Sequence, residues 1–192
     1  RSLEVIFDTV WFSVLSVIVF GFIAQYLNAS ANTQAATVLL TGMIWWEFLR
    51  INQYSLSLNP LWNIWSRNFA NMFITPISKT EYVVAQCISA FIKSTAVLFL
   101  NTLVIQFFFN IPIFSLYTLE HVIIFAVLFS LFAWSVGLMV MGVIFRFGTR
   151  IQALAWGFIF LLQPLVAVFF PVSIMHPALQ FVALLFPATH LF

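Results

Sequence analysis

An all-α, polytopic membrane bundle is the fold class this sequence predicts, on three observations. Of its 192 residues 64% are apolar and only 6% charged, with a mean hydropathy of +1.10. A soluble domain of this size lacks the polar surface to cover so much apolar material. Next, five continuous apolar stretches (residues 5–27, 37–58, 83–109, 122–145 and 151–170) run along the chain. Each reaches the ~20 residues a helix needs to cross about 30 Å of hydrocarbon, and none alternates in and out as a barrel strand does. Finally, the basic residues keep to alternate connections. Arg1 precedes the first stretch, Arg67 and Lys79 fall between the second and third and are read together with Arg50 near the end of the second, Arg146 and Arg150 fall between the fourth and fifth, and only Lys93 is left inside a stretch. Residues 28–36, 110–118 and 171–190 hold no Lys or Arg. That alternation is the positive-inside pattern of a polytopic protein with a cytoplasmic N-terminus.

Composition also excludes functions. The net charge of +2 comes from scattered Lys and Arg rather than a basic run interleaved with exposed aromatics, so nucleic acid is not an expected partner. Cys87 is the single cysteine and cannot form an intrachain disulfide. The first stretch is too long for a removable signal and lacks a small-residue cleavage site, so it is expected to be a permanent helix. The sequence opens on Arg1 and is expected to be a piece of a longer protein, residues 1–192 forming a single transmembrane domain.

Taken in order, Asp8 is expected at the interface near the inner end of the first helix. Asn28-Ala29-Ser30 matches a glycosylation triplet too close to the membrane to carry weight. Trp45 and Trp46, beside a Glu47/Arg50 pair able to meet on one helical face, suit a helix end at headgroup level, although residues 51–58 are apolar enough to continue the helix. Pro60 is a natural helix start and Pro76 a natural stop. Between them Leu61, Trp62, Trp65, Phe69, Met72 and Phe73 recur at helical spacing, with Asn63, Arg67, Asn68 and Asn71 filling the other side. The expectation is an amphipathic helix of about four turns lying along the cytoplasmic surface, serving either as a surface-anchored connector or as a docking helix. Ser78 followed by Glu81 reads as a capping box for the third span.

In that third span Gln86, Ser89 and Lys93 share one helical face. Lys93 is expected to snorkel to the cytoplasmic interface, a buried functional cation being the alternative. Asn101 and Gln106 are expected to bond between helices, and Gly137, Gly142, Ala153 and Gly157 to permit close helix approach. Gly148 hinges the turn between the fourth and fifth spans, Pro164 should kink the fifth, and residues 177–186 read as a short re-entrant or interfacial helix, lying in the outer interface or dipping into it.

No phosphate-binding loop, dinucleotide turn or zinc-protease helix occurs. His121, His176 and His190 all fall on the outer side, but their spacing fits no common ligand pattern, so no metal site and no catalytic set is expected.

Three segments carry a resemblance: Trp65 through Tyr82, with Thr75-Pro76-Ile77-Ser78 and Glu81; Phe170 through Gln180; and Phe186-Pro187-Ala188-Thr189-His190. Together with the topology they resemble the ABC-2-type transporter permeases over essentially the whole chain. The resemblance implies a non-enzymatic permease subunit of an ATP-driven exporter, six spans per permease, a second permease copy, and a separate ATPase subunit that carries ATP and Mg; the absence of eukaryotic features points to a bacterial cytoplasmic membrane. The chain itself would hold no cofactor, and its sixth span would be missing. Trp65, Arg67, Asn68, Phe69, Met72 and Phe73 would be coupling-helix contacts to the ATPase. Pro171, Pro177 and Pro187 would mark the outer gate region, and Gln86, Ser89 and Lys93 a polar face within a span. The cargo would be amphiphilic or lipid-linked. A secondary transporter or channel without an ATPase is the alternative.

Overall fold

The computed structural model describes residues 2–29, 33–74, 76–111, 113 and 117–192; the side chains of residues 2–6, 8, 33, 34, 69, 70 and 73 lie outside that description. The interfacial seat expected for Asp8 and the triplet ending at Ser30 therefore fall outside it. The chain forms α1 (Ser2–Ala29), α2 (Thr33–Trp65), α3 (Phe69–Ile74), α4 (Lys79–Phe109), α5 (Leu119–Phe147), α6 (Gln152–Leu165) and α7 (Pro177–Leu184), with short 3₁₀ turns and no strand among the described residues. Among the described residues three stretches are long and apolar enough to cross a membrane: Thr9–Ala29, Lys79–Phe109 and Leu119–Leu165. The protein is membrane-embedded by that measure of length and composition.

Contacts between named pairs give each helix its direction. On α2, Asn63 meets Tyr82 and Asn52 meets Ser94, so α4 runs antiparallel to α2. Asn101 bonds Ser13, and Phe109 packs on Phe22, so α1 runs parallel to α4. Trp45 packs on Phe129, while Val140 and Ile144 join Leu58 and Leu61, so α5 runs parallel to α2. Leu119–Leu165 is not one rod, because Ala155 lies with Leu58 and Leu61 whereas Val168 approaches Gly42. The turn at Gly148–Ile151, opened by Gly148 at φ 66°, sends α6 back along α2. The five apolar stretches thus alternate in direction, as the charge pattern implies.

Helix α2 is the axis. It contacts α1, α4, α5 and α6, and from Gly42 to Leu61 nearly every residue is buried. Large exposed apolar side chains crowd the surrounding helices instead, including Phe12 and Phe22 on α1, Phe99 and Phe107 on α4, Ile123 and Leu131 on α5, and Phe160 on α6. A helix enclosed by protein has no need to be apolar. Accordingly α2 buries Glu47, Asn52, Gln53, Ser55 and Ser57.

Several expectations need correction. Trp45 and Trp46 do not mark a helix end at headgroup level. Both are buried, at 6% and 1% exposure, because α2 continues past them and is walled in on every side. Arg50 does not lie in a connecting loop: it sits about 22 Å from the Trp65 end of α2 and donates to Glu47 from Nε at 3.2 Å and from a terminal nitrogen at 2.6 Å. The pairing itself is as expected. Gly137 lies in close contact with Leu56, but Gly142 and Gly157 face open space and Ala153 is exposed. Asn101 bonds between helices as expected, at 2.7 Å to Ser13, whereas Gln106 is exposed near the end of α4. The fifth stretch does not stay helical to residue 170. Helix α6 ends at Leu165, just beyond Pro164, and Ala167 adopts φ 52°.

Two predictions follow from this packing. Glu47→Leu strands a buried guanidinium and should destabilise the protein by about 3–5 kcal/mol, read by thermal unfolding in micelles. The double variant Glu47→Leu/Arg50→Leu should recover most of that loss. Gly42→Ala would place a Cβ 2.3 Å from the Val168 carbonyl oxygen and should cost roughly 1–3 kcal/mol. Gly142→Ala, with nothing within 4 Å, should be neutral or gain up to about 1 kcal/mol in helix propensity.

Candidate functional site

One end of the bundle is basic: Arg146 and Arg150 fall at the turn from α5 to α6, and Arg67 and Lys79 flank the connection from α2 to α4. The expected four-turn helix starting at Pro60 is not what forms there. Proline 60 lies inside α2, which runs on to Trp65. Packing overrides the proline signal: Leu58 and Leu61 are buried with Val140, Ile144 and Ala155, and Asn63 Nδ2 donates to the Tyr82 hydroxyl at 3.3 Å, tying this stretch to α4.

What stops α2 is a two-bond closure. The Asn68 amide donates to the Asn63 carbonyl and the Arg67 amide to the Ile64 carbonyl, both at 3.0 Å. Arg67 itself stands in the left-handed region at φ 52°. This is a Schellman ending with arginine where glycine is usual. The Asn68 carbonyl then accepts from the Met72 amide at 3.0 Å, starting α3 at once. After Pro76 and Ile77, Ser78 caps α4: its amide donates to Glu81 at 2.7 Å and its hydroxyl accepts from the Glu81 amide at 3.2 Å. The capping box read from the sequence is present.

The resulting elbow separates the residues singled out from the sequence. Trp65 and Arg67 are exposed, and the Trp65 ring stands edge-on to Trp62 at 5.0 Å between centroids. Asn68 and Met72 are half-buried and turn into a cavity of about 460 Å³. The side chains of Phe69 and Phe73 lie outside the description. Gln86 and Ser89 reach the same cavity from α4, so the structure joins part of the expected docking segment to part of the expected polar face. Lys93 does not line it. That lysine is half-buried near the middle of α4, and among the described residues it makes no ion pair.

Asn59 and Asn63 complete the cavity and were not singled out for this role. A signal was present: Asn52, Asn59 and Asn63 fall on one face of α2 at seven- and four-residue spacing. Asn59 Nδ2 donates to Gln86 Oε1 at 2.5 Å. Higher on the same face Asn52 ties three helices together, donating to Ser94 at 2.6 Å and accepting from the Trp134 indole at 3.1 Å.

At the opposite end, Pro171, Pro177 and Pro187 are all exposed. Pro171 borders a second cavity of about 730 Å³, walled by Trp45, Tyr117, Phe125 and Phe169. Pro177 opens α7, the short helix expected there, and Pro187 opens the last 3₁₀ turn. His121 and His176 each bond within their own helix start, and His190 contacts the Leu184 carbonyl.

No family model, curated protein or solved structure matches this chain.

Arg67→Gly should stabilise the protein by about 1 kcal/mol, since glycine meets no Cβ penalty in the left-handed region. Arg67→Val should destabilise it by at least as much. Thermal midpoints of the purified variants check both.

Proposed function

We propose that this chain is the permease subunit of an ATP-driven exporter, carrying an amphiphilic or lipid-linked cargo by alternating access. A separate ATPase subunit would supply the energy and a second permease copy would complete the path. The reading rests on the elbow between α2 and α3. A short helix is set off from α2 by a rigid two-bond turn, at the end of the bundle that carries the basic residues. Because α2 is the axis against which α1, α4, α5 and α6 pack, a force on α3 is delivered to the helix best placed to shift the others. The basic end is cytoplasmic in this reading, which puts α3 where an ATPase can reach it. The five alternating helices would then be five spans with the N-terminus in the cytoplasm of a bacterial cell.

In the full complex, Arg67→Asp combined with Phe69→Ala should abolish ATP-driven transport and reduce co-purification of the ATPase. Transport at the unaltered rate would overturn the coupling role.

One observation favours a secondary transporter or channel instead: the Glu47–Arg50 pair places ionisable groups deep within the bundle. Their mutual neutralisation argues for a packing role. The readings separate on energy source. Transport that survives ATP depletion and collapses with a proton ionophore selects the second.

A further inference from the structure

The cavity at the basic end has a chemistry of its own. Its walls bring together Asn59, Asn63, Asn68 and Gln86, and no charged residue lines it among the described residues. The Trp62 indole forms one side and Ser89 lies on the α4 side. Its volume of about 460 Å³ lies within the ~300–1,000 Å³ typical of small-molecule sites. Two of these carboxamides are committed within the protein, Asn59 with Gln86 and Asn63 with Tyr82. The Asn68 carboxamide and the Ser89 hydroxyl make no side-chain hydrogen bond to any described residue, although both are half-buried.

Neutral groups that both donate and accept match hydroxyls, which do the same. An indole face adds apolar contact for the C–H side of a ring. Among the described lining residues a phosphate or carboxylate would find no cation, and an ammonium no carboxylate; the nearest cation in the sequence, Arg67, is exposed. Helix α4 also carries an exposed apolar face of Val84, Ile88 and Ile92, available to an alkyl chain in lipid.

We propose that this cavity binds the neutral, hydroxyl-rich head of an amphiphile whose tail lies along α4. The binding site stands without any ATPase; its use as the loading site for exported cargo rests on the function proposed above.

The probe is an octyl glucoside carrying a diazirine on the first carbon of its chain, photolysed with the full chain in lipid nanodiscs, no ATPase being present. Adducts should map to residues 59–72 and 86–89. Unlabelled octyl glucoside should compete at least about tenfold better than octyl phosphocholine, which shares the tail. Ser89→Leu and Asn68→Leu break no side-chain bond within the protein, and each should cut labelling about tenfold, the worth of one or two hydrogen bonds, with thermal midpoints unchanged. Equal competition by the two octyl compounds, or undiminished labelling in both variants, would overturn the site. Labelling that succeeds while the cargo proves not to compete would keep the site and remove only its loading role.

Discussion

Everything in this fold depends on α2 being enclosed by protein along most of its length. In a bilayer, a polar side chain has no water to fall back on and must find partners within the protein. Helix α2 finds most of them by lying at the centre of the other helices, the Gln53 Oε1 being left without one among the described residues. Glu47 and Arg50 satisfy each other, Asn52 takes its partners from α4 and α5, and Ser57 donates to the Gln53 carbonyl. The neighbours face outward with Phe, Ile and Leu. The arrangement inverts that of a water-soluble bundle: the most polar helix is innermost.

The same enclosure links the two ends. At one end α2 passes into the Arg67 turn and α3; at the other Gly42 admits the Val168 backbone, and Trp45 lines the second cavity. A single stiff element therefore touches the basic-end cavity, the mid-bundle ion pair and the opposite cavity. Bonds such as Asn52 to Ser94 and Asn101 to Ser13 tie its neighbours at defined heights. In the proposed function a tilt of α2 would be felt at all of them.

The helical class was legible in the sequence because lipid-facing helices must be apolar, and the alternating helix directions match the spacing of the basic residues along the chain. The capping box at Ser78 and Glu81 was legible because it is local. Burial was not. The stretch around Trp45, Glu47 and Arg50 looks like an interfacial helix end, and only the surrounding helices reveal it as the bundle centre. Proline 60 misled in the same way, its local cost being outweighed by the packing of Leu58 and Leu61. The arginine in a glycine position at residue 67 carries no sequence signal at all. Of the candidate site, Asn68, Met72, Gln86 and Ser89 were each visible as polar or periodic positions, but their meeting depends on where the elbow folds.

The enclosure of α2 can be measured directly by electron paramagnetic resonance on single nitroxide labels, placed in a Cys87→Ser background in lipid vesicles. Labels at Leu49, Ile51 and Leu56 should be shielded both from oxygen dissolved in lipid and from a water-soluble nickel chelate, while labels at Ile92, Phe99 and Ile123 should be relaxed strongly by oxygen. Oxygen reaching the α2 positions as readily as those on α4 and α5 would contradict the account.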